Sequence, residues 1–328
     1  MNRREFITLL GGTAAAWSLA AWAQQPAMPV IGFLSIGLRE SSDFLMPPIR
    51  QGLRVAGYVE GQNVKIEYRW ADGQNDRLPA LAADLVSRQV AMIVALGSTA
   101  ALAAKAATAT IPIVFGTAAD PVEVGLVASL NRPDGNLTGV TNLNAEVGPK
   151  RLELLHEMLP TATVFALLID PHTGPGLNDA ISRNLQAAAS TLGLKLHVLH
   201  ASTERDLDGV FAALVEIRAD ALVIAPATFF STRSEQLAAL TVRHAVPAIY
   251  QFRPFAAAGG LLSYGGSQSE YRRLIGAYAG KILKGEKPGD LPVQQATKVE
   301  LIINLRTAKT LGITIPLSLL GRADEVIE

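Results

Sequence analysis

Short apolar runs alternate with amphipathic stretches along the chain from Pro29 onward. Four apolar runs, at residues 30–34, 64–68, 91–96 and 111–115, have the length and composition of buried strands. The stretches between them are predicted to be helices: residues 43–56, a segment in which Leu78, Leu81, Leu85 and Val86 recur at helical spacing, and the alanine-rich residues 98–107. Continuous apolar strands separated by helices predict a parallel sheet that is covered on both faces.

The same pattern begins again after Asn142. A helix is expected from about residue 145 to Pro160, with Leu152, Leu155 and Leu159 on one stripe. Further strands are predicted at 164–169, 194–199, 221–225 and 248–250, and further helices at 177–191, 205–217 and 231–243. Two series of the same kind predict two similar α/β lobes rather than one large sheet.

The segment that follows is predicted to connect the two lobes. Residues 259–266 have the pattern of a strand flanked by glycines, and Ser267 with Glu270 forms a capping-box pattern that opens a helix to about Leu283. A strand at 299–303, a helix at 306–311 and an exposed final segment are expected next. Crossings between the lobes are predicted near 139–141, 263–265 and 294–297. Lobe 1 then comprises residues 29–140 and about 265–294, and lobe 2 comprises residues 141–263 and about 297–328.

The first 23 residues have the pattern of a signal peptide. Arg3 and Arg4 precede an apolar stretch from Ile7 to Ala21, and Ala21 and Ala23 supply the small residues of a cleavage site. The stretch has about 15 residues, fewer than the roughly 20 that span a bilayer, which favours cleavage over a retained anchor. The arginine pair also resembles a twin-arginine export signal. We therefore expect a periplasmic protein that is cleaved after about Ala23.

Composition and charge exclude several kinds of site. The formal net charge is +0 and no dense cluster of Lys and Arg occurs, so a nucleic-acid partner is not expected. Cysteine is absent, which excludes thiolate metal sites, disulfides and cysteine nucleophiles. His197 and His200 lie three positions apart in a predicted strand, where their side chains face opposite ways. Neither a metal ion nor a cofactor is expected, and the protein is expected to be a monomer.

Four separated blocks of the sequence resemble a known family. They are GSTAALAAKAAT from Gly97, IPIVFGTAADPV from Ile111, NLTGVT from Asn136, and INLRTAKTLGITIP from Ile303, which is followed by RADEVIE ending at Glu328. The chain resembles the tryptophan/tyrosine-type substrate-binding proteins of ABC transporters. The resemblance implies the type I periplasmic-binding-protein fold, in which three crossings join two Rossmann-like lobes with parallel sheets. It also implies ligand capture and docking to an inner-membrane ABC permease, without catalysis.

The candidate ligand-binding residues lie in loops that follow predicted strands, because ligands of open α/β sheets bind beyond the carboxyl ends of the strands. The first candidate is Gly97 with Ser98 and Thr99, at a helix N-terminus whose unpaired amides suit a carboxylate. An ordinary capped helix is the alternative interpretation. In the family, this loop binds a carboxylate, which favours the ligand-binding role.

Other loops of the same kind supply further candidates. In lobe 1 they are Ser35 and Ile36 after the first strand, and Thr117 and Asp120 after the fourth. Asp120 is equally well placed to cap the helix that Pro121 begins. In lobe 2 the candidates are Asp170, Thr228, Phe229 and Tyr250. Phe229 and Tyr250 are aromatic, and packing in the hydrophobic core is the alternative interpretation of these two residues.

One of these loops departs from the family pattern. The resemblance implies an Asp and an Asn in the loop that matches Ala227-Thr228-Phe229, where amino-acid-binding members contact the ammonium group of the ligand, but this sequence has Thr228, Phe229 and Phe230 there. A buried ammonium without a carboxylate partner would be costly. Two interpretations remain: the ligand is an aromatic or other carboxylate without an α-ammonium, or Asp170 substitutes for the missing carboxylate.

The predicted function is capture of a small carboxylate-bearing ligand, aromatic or amino-acid-like, for an ABC importer. One alternative is a periplasmic sensing domain, which needs the same lobes and a membrane receptor as its partner. The other is an exported hydrolase. The motifs G-x-S-x-G and H-E-x-x-H do not occur, which argues against an enzyme of that kind.

Overall fold

The computed structural model describes residues 28–142, 146–173, 177–296 and 298–328, and the predicted signal peptide lies outside these residues. The strands are β1 (Val30–Ser35), β2 (Lys65–Trp70), β3 (Met92–Leu96), β4 (Ile113–Thr117), β5 (Leu137–Thr141), β6 (Val164–Ile169), β7 (Lys195–His200), β8 (Ala221–Ile224), β9 (Ala248–Tyr250), β10 (Leu262–Gly266), β11 (Gln294–Gln295), β12 (Val299–Asn304) and β13 (Glu325–Ile327). The helices are α1 (Ser42–Val55), α2 (Leu78–Ser87), α3 (Ser98–Ala107), α4 (Gly148–Met158), α5 (Leu177–Thr191), α6 (Glu204–Glu216), α7 (Thr228–Ser231), α8 (Ser234–Arg243), α9 (Arg253–Ala257), α10 (Gln268–Leu283), α11 (Leu305–Thr310) and α12 (Leu317–Leu320).

These strands form two sheets, one in each lobe. The sheet of lobe 1 has the order β11-β5-β4-β3-β1-β2, and its neighbouring strands pair in parallel. The sheet of lobe 2 has the order β13-β12-β10-β9-β8-β6-β7. The α/β fold class and the two Rossmann-like lobes predicted from the sequence are confirmed.

Each sheet is covered on both faces because its strands are apolar on both sides. In β3, Met92, Val94 and Leu96 pack in one core cluster with residues of α1 and α10. Ile93 and Ala95, which point to the opposite face, pack in a second cluster with α2 and α3. This alternation follows from the two-residue period of a strand. Lobe 2 is built in the same way, with one apolar cluster on each face of its sheet.

The chain passes between the lobes three times. It leaves lobe 1 after β5 and enters lobe 2 at α4. It returns between β10 and α10, because β10 pairs in the lobe 2 sheet whereas α10 packs on α1 and on β3, β4 and β5 of lobe 1. It crosses again between β11 and β12.

Several predicted elements differ from the structure. Residues 137–141 form strand β5, although only a crossing was expected there. The helix expected at 231–243 begins at Ser234 as α8, and a separate four-residue helix, α7, precedes it. The final segment, expected only to be exposed, contributes β13, which pairs in parallel with β12. β12 itself is antiparallel to β10, with Ile303 opposite Leu262, so the lobe 2 sheet is mixed.

Helices α1 and α10 of lobe 1 approach each other closely through glycines. A Cβ atom at Gly276 would clash with the backbone carbonyl of Ile49, and one at Gly52 would clash with the carbonyl of Arg273. The two backbones can meet only because neither position carries a side chain. This contact fixes α10, whose N-terminal turn faces lobe 2. No helix in the described part of the chain is long and apolar enough to cross a membrane.

Candidate functional site

A cavity of about 920 Å³ lies between the two lobes. Its walls are loops that follow the carboxyl ends of strands in both sheets, together with the first turn of α10. From lobe 1 it is lined by residues that include Ser35, Ile36, Gly97, Ser98, Thr99, Asn142, Gln268, Tyr271 and Arg272. From lobe 2 it is lined by residues that include Asp170, His172, Ser202, Thr228, Phe229, Thr232, Arg233 and Phe252.

The position of the cavity follows from the strand order. In lobe 1, β1 lies between β2 and β3, so the chain reverses direction across the sheet between β1 and β3. In lobe 2 the corresponding reversal is between β6 and β8. Loops diverge to opposite faces of the sheet at such points and leave a crevice that binds ligands. The two crevices face each other and together form the cavity.

The Gly97 loop lies at the carboxyl end of β3. Gly97 has a φ of +95°, a conformation that favours glycine, and it precedes α3 directly. The N-cap position is Gly97, so no side chain caps the helix, and the Ser98 hydroxyl lies 2.7 Å from the Thr117 hydroxyl. Ser98 and Thr99 therefore belong to the first helical turn, where backbone amides have no partner within the helix. The interpretation of these residues as an ordinary side-chain cap is wrong.

Of the remaining lobe 1 candidates, two line the cavity and two do not. Ser35 and Ile36 line the cavity, and the Ser35 hydroxyl accepts a hydrogen bond from the Gly37 amide at 3.1 Å. Thr117 does not line the cavity. Its hydroxyl accepts a hydrogen bond from the Ala119 amide at 3.1 Å, and it also holds the Ser98 hydroxyl from the side away from the cavity. Asp120 also lies away from the cavity. Its carboxylate accepts from the Val122 amide at 2.7 Å within a turn, and the helix that Pro121 was expected to begin is absent, since residues 121–125 form turns.

Of the lobe 2 candidates, Asp170, Thr228 and Phe229 line the cavity, whereas Tyr250 does not. Tyr250 is wholly buried in the core, its ring stacks on Phe255, and its hydroxyl lies 2.6 Å from the Thr241 hydroxyl. The placement of Tyr250 in the site was wrong, because its side chain packs in the hydrophobic core of lobe 2 and does not reach the cavity. Phe252, two residues later, reaches the cavity instead.

The N-terminal turn of α10 supplies site residues that the sequence analysis missed. Gln268, Tyr271 and Arg272 line the cavity, and their spacing of three and four residues places them on one face of the helix. The capping box expected here is absent: Ser267 makes no side-chain cap, and its hydroxyl lies 3.2 Å from that of Ser269. A polar i, i+3, i+4 set directly after a lobe crossing is the signal that would have identified them.

Two charged side chains in the cavity wall are buried. Arg272 on lobe 1 is 5% exposed and donates a hydrogen bond to the Gln268 amide oxygen; desolvation lowers its pKa to about 10, so it stays protonated at neutral pH. Asp170 on lobe 2 is 8% exposed, and desolvation raises its pKa, although the hydrogen bond from the His172 amide at 2.9 Å opposes the shift.

Within the described residues, no group of three or more His, Asp or Glu side chains is placed to hold a metal ion.

The lobes contact each other beside the cavity. The Asn75 side-chain amide of lobe 1 donates a 2.8 Å hydrogen bond to the His172 backbone carbonyl of lobe 2. Gly37 also lies close to Thr228 across the gap, since a Cβ built on Gly37 would be 3.6 Å from the Thr228 methyl carbon. The structure therefore has the lobes drawn together around the cavity.

Comparisons with known proteins agree with this geometry. Residues 38–327 match the family model described as ABC transporter substrate binding protein. The chain is 27% identical over 263 residues to a tyrosine-binding protein from Clostridioides difficile (strain R20291), an alignment that covers 80% of this chain and 74% of that protein.

Solved structures show the same fold. A conserved domain protein from Vibrio cholerae O1 biovar El Tor superposes with a TM-score of 0.83 at 27% identity, covering 91% of this chain and 99% of that chain. An ABC domain from Streptococcus pneumoniae, solved in complex with L-Trp, superposes with a TM-score of 0.82 at 24% identity, covering 92% of this chain and 100% of that chain.

Proposed function

The chain belongs to the family of ABC transporter substrate-binding proteins, and from this premise we propose that it is the periplasmic binding component of an importer. In this role it captures a small carboxylate-bearing ligand, aromatic or amino-acid-like, in the cavity between its lobes. It then presents the closed, loaded form to a permease in the inner membrane. Binding, without catalysis, is the activity of the site.

The observation that carries this proposal is the Gly97 loop at the cavity wall. It combines the N-terminal turn of a ten-residue helix, a glycine that leaves the backbone open, and the Ser98 and Thr99 side chains at the cavity. Unpaired amides and the positive end of the helix dipole favour a carboxylate at that position.

The size and lining of the cavity suit a ligand of this kind. Its volume of about 920 Å³ is within the range of small-molecule sites, and Phe229 and Phe252 give it an apolar side. The similar proteins named above include a tyrosine-binding protein and a structure in complex with L-Trp. An aromatic carboxylate or amino acid is therefore the first class of ligand to test.

The proposal includes export and lobe closure. Residues 1–23 serve as the signal peptide, so the secreted protein begins at or near Gln24, which N-terminal sequencing of the periplasmic protein would check. The three chain passages act as the hinge between lobe 1 and lobe 2, and the protein acts as a monomer.

The test is a thermal-shift screen of the protein without residues 1–23. The compounds are the twenty amino acids, their carboxylate analogues without the amino group, and their amine analogues without the carboxylate. A ligand present at 100 times its dissociation constant adds about 2.7 kcal/mol to the free energy of unfolding. Stabilisation by carboxylate-bearing compounds, and not by the amines, is the expected result. A screen in which no carboxylate has any effect would contradict the proposal.

A further inference from the structure

We propose that the cavity takes an extended carboxylate, about as long as a short peptide, whose anionic end lies at the Gly97 loop and whose polar far end lies beside the edge strands of the two sheets. The inference rests on the proposed binding function and names the length and the chemistry of the ligand. It follows from the shape of the cavity, which continues well beyond the loop at which the carboxylate is expected to bind.

The cavity has an inner part and an outer part, because loops after different strands line it. The inner part is lined by the Gly97 loop after β3 and by residues 226–229 after β8. The outer part is lined by residues 72–75, which follow the edge strand β2, and by residues 202–206, which follow the edge strand β7. The loops after β1 and β6 connect the two parts.

The two parts are too far apart for a compact ligand to occupy both. β1 separates β3 from β2, and β6 separates β8 from β7, so the outer loops lie two strand spacings, about 10 Å, from the inner loops in each lobe. This distance corresponds to about three residues of extended peptide. The cavity volume of about 920 Å³ is also near the upper end of the range for small-molecule sites. A single amino acid at the Gly97 loop would leave the outer part unfilled.

The outer part belongs to the arrangement in which the lobes are drawn together. The hydrogen bond from Asn75 to the His172 carbonyl crosses the gap there, and a second close approach, between Gly37 and Thr228, lies further in. Both contacts exist together with the full cavity volume. Closure of the lobes therefore does not remove the outer part, and an extended ligand can lie in it while the lobes touch.

The two parts differ in how far their side chains are exposed to water. Leu96, Ser98 and Phe252 of the inner part are buried, whereas Gln74 and Arg205 of the outer part are exposed. Apolar ligand atoms gain most where they leave water completely, which is in the inner part. A unit in the outer part keeps some of its hydration and can be polar without a large cost. The ligand is therefore apolar next to its carboxylate and polar at its far end.

Gln74 and Arg205 supply hydrogen-bonding groups for this far end. Within the described residues, neither side chain forms a hydrogen bond or an ion pair. Asp72 and Glu204, which also line the outer part, are each already in an ion pair within their own lobe. The groups that remain are an amide and a guanidinium, whose N–H groups suit carbonyl or hydroxyl oxygens. Peptide carbonyls provide such oxygens at the required distance from a terminal carboxylate.

The experiment compares ligands that share a carboxylate end and differ in length. L-phenylalanine, glycyl-L-phenylalanine and diglycyl-L-phenylalanine form one series, and the corresponding leucine and tryptophan compounds form two more. Diglycyl-L-phenylalaninamide lacks the carboxylate. Benzoate, biphenyl-4-carboxylate and 4′-carbamoylbiphenyl-4-carboxylate form a non-peptide series, in which the last member adds a polar far end. Melting curves rank the compounds, and calorimetry measures their affinities for the wild type.

Arg205→Ala and Gln74→Ala test the outer part, and Arg183→Ala is the matched control. Arg183 is exposed on α5, does not line the cavity and forms no ion pair in the described part of the chain. The first two variants should each bind the longest compound of the best series roughly twofold to tenfold more weakly and the shortest compound as the wild type does. Arg183→Ala should change neither affinity. Losses of equal size for the short and the long compound would contradict contact with the outer part.

The longest compound of the best series is expected to bind the wild type roughly tenfold to a hundredfold more tightly than the shortest. A gain in the peptide series would identify a peptide ligand and a gain in the biphenyl series another extended acid, and either supports the inference. If affinity did not rise with length in any series, the inference would be overturned and carboxylate binding would stand, because the short compounds still report on the Gly97 loop. This comparison needs no variant. If the carboxamide bound as tightly as the acid, or if no compound bound, both the inference and the proposed function would be overturned.

Discussion

Ser98 and Thr99 are neighbours in sequence but have different surroundings, so their substitutions should have different effects. Thr99→Val removes a hydroxyl from the cavity wall and keeps the shape of the side chain. We expect roughly tenfold to a hundredfold weaker binding of the best ligand from the screen, with an unchanged melting temperature. Calorimetry and melting curves of the ligand-free variant measure the two effects.

Ser98→Ala should instead reduce stability as well as affinity. It breaks the buried 2.7 Å contact with the Thr117 hydroxyl, at a cost of about 1 to 3 kcal/mol. If Thr99→Val lowered the melting temperature and left affinity alone, the proposed carboxylate site would be wrong.

Asp170 should make the stability of the ligand-free protein depend on pH. Desolvation raises its pKa in the folded state, while the backbone and imidazole of His172 oppose that shift. The folded state therefore binds this proton up to a higher pH than the unfolded chain does. Its contribution to stability falls as the pH rises from the ordinary aspartate range to the raised value.

Asp170→Asn removes this effect because Asn carries no charge. The ligand-free variant is expected to melt at a higher temperature than the wild type near pH 7, and the gain should shrink towards about pH 4. Melting curves of both proteins across this range provide the test. A difference in melting temperature that is the same at every pH would show that Asp170 does not titrate differently in the folded state.

At the level of single elements, the glycines between α1 and α10 make the sharpest prediction. Gly276→Ala introduces a methyl group against the Ile49 carbonyl, and we expect it to destabilise the protein by about 1 to 3 kcal/mol. It should also weaken ligand binding, because Gln268, Tyr271 and Arg272 on the same helix line the cavity. Urea unfolding and calorimetry measure the two effects.

Gly209 offers a matched control in helix α6. A Cβ at this position has nothing within 4 Å, so Gly209→Ala should stabilise the protein by about 0.5 to 1 kcal/mol through helix propensity alone. If both substitutions stabilised the protein, the close approach of α1 and α10 would not constrain the fold.

The elements that the sequence predicts well are those with strong apolar periodicity. The helix at 177–191 and the strands at 164–169 and 248–250 have the bounds that were expected. β5 was missed as a strand because Thr138, Gly139 and Thr141 interrupt its apolar pattern. β13 was missed because a three-residue edge strand depends on its partner β12 and not on its own sequence.

The residues of the candidate site were likewise predicted only in part. Residues in loops after predicted strands, such as Asp170 and Ser98, could be named because strand ends define the position of a cleft. Tyr250 and Asp120 were misplaced because a side chain's direction and its local hydrogen bonds cannot be read from spacing. Arg272 was missed because its helix reaches the cavity only through packing against α1, a contact between distant parts of the chain.

At the scale of the whole molecule, the hydrogen bond between Asn75 and His172 joins the two lobes, so we expect it to favour their closed arrangement. A ligand that both lobes bind should reduce the radius of gyration measured by X-ray scattering. Asn75→Ala removes the hydrogen bond between lobes, worth about 0.5 to 1.5 kcal/mol, and should weaken binding roughly twofold to tenfold. In the scattering measurement, the lobes of Asn75→Ala should open more easily than those of the wild type.

Asn63→Ala is the matched control for this measurement. The Asn63 side chain bonds the Val59 amide and the Gly57 carbonyl within lobe 1, so its loss should affect stability and leave closure unchanged. A confirmed ligand that did not change the scattering curve of the wild type would contradict closure of the lobes.

The three passages between the lobes also set the order in which the molecule can be completed during synthesis. α10 and β11 belong to lobe 1 but are made only after residues 148–266 of lobe 2, and β12 and β13 of lobe 2 are made later still. Until α10 emerges from the ribosome, the face of the lobe 1 sheet that carries Val94 and Val114 lacks one of the helices that cover it. Until β12 emerges, β10 is an open strand edge of the kind that promotes aggregation. Neither lobe can therefore be finished before the other has been started: the lobe 1 face stays uncovered until residue 283 has emerged, and the β10 edge until residue 304 has emerged.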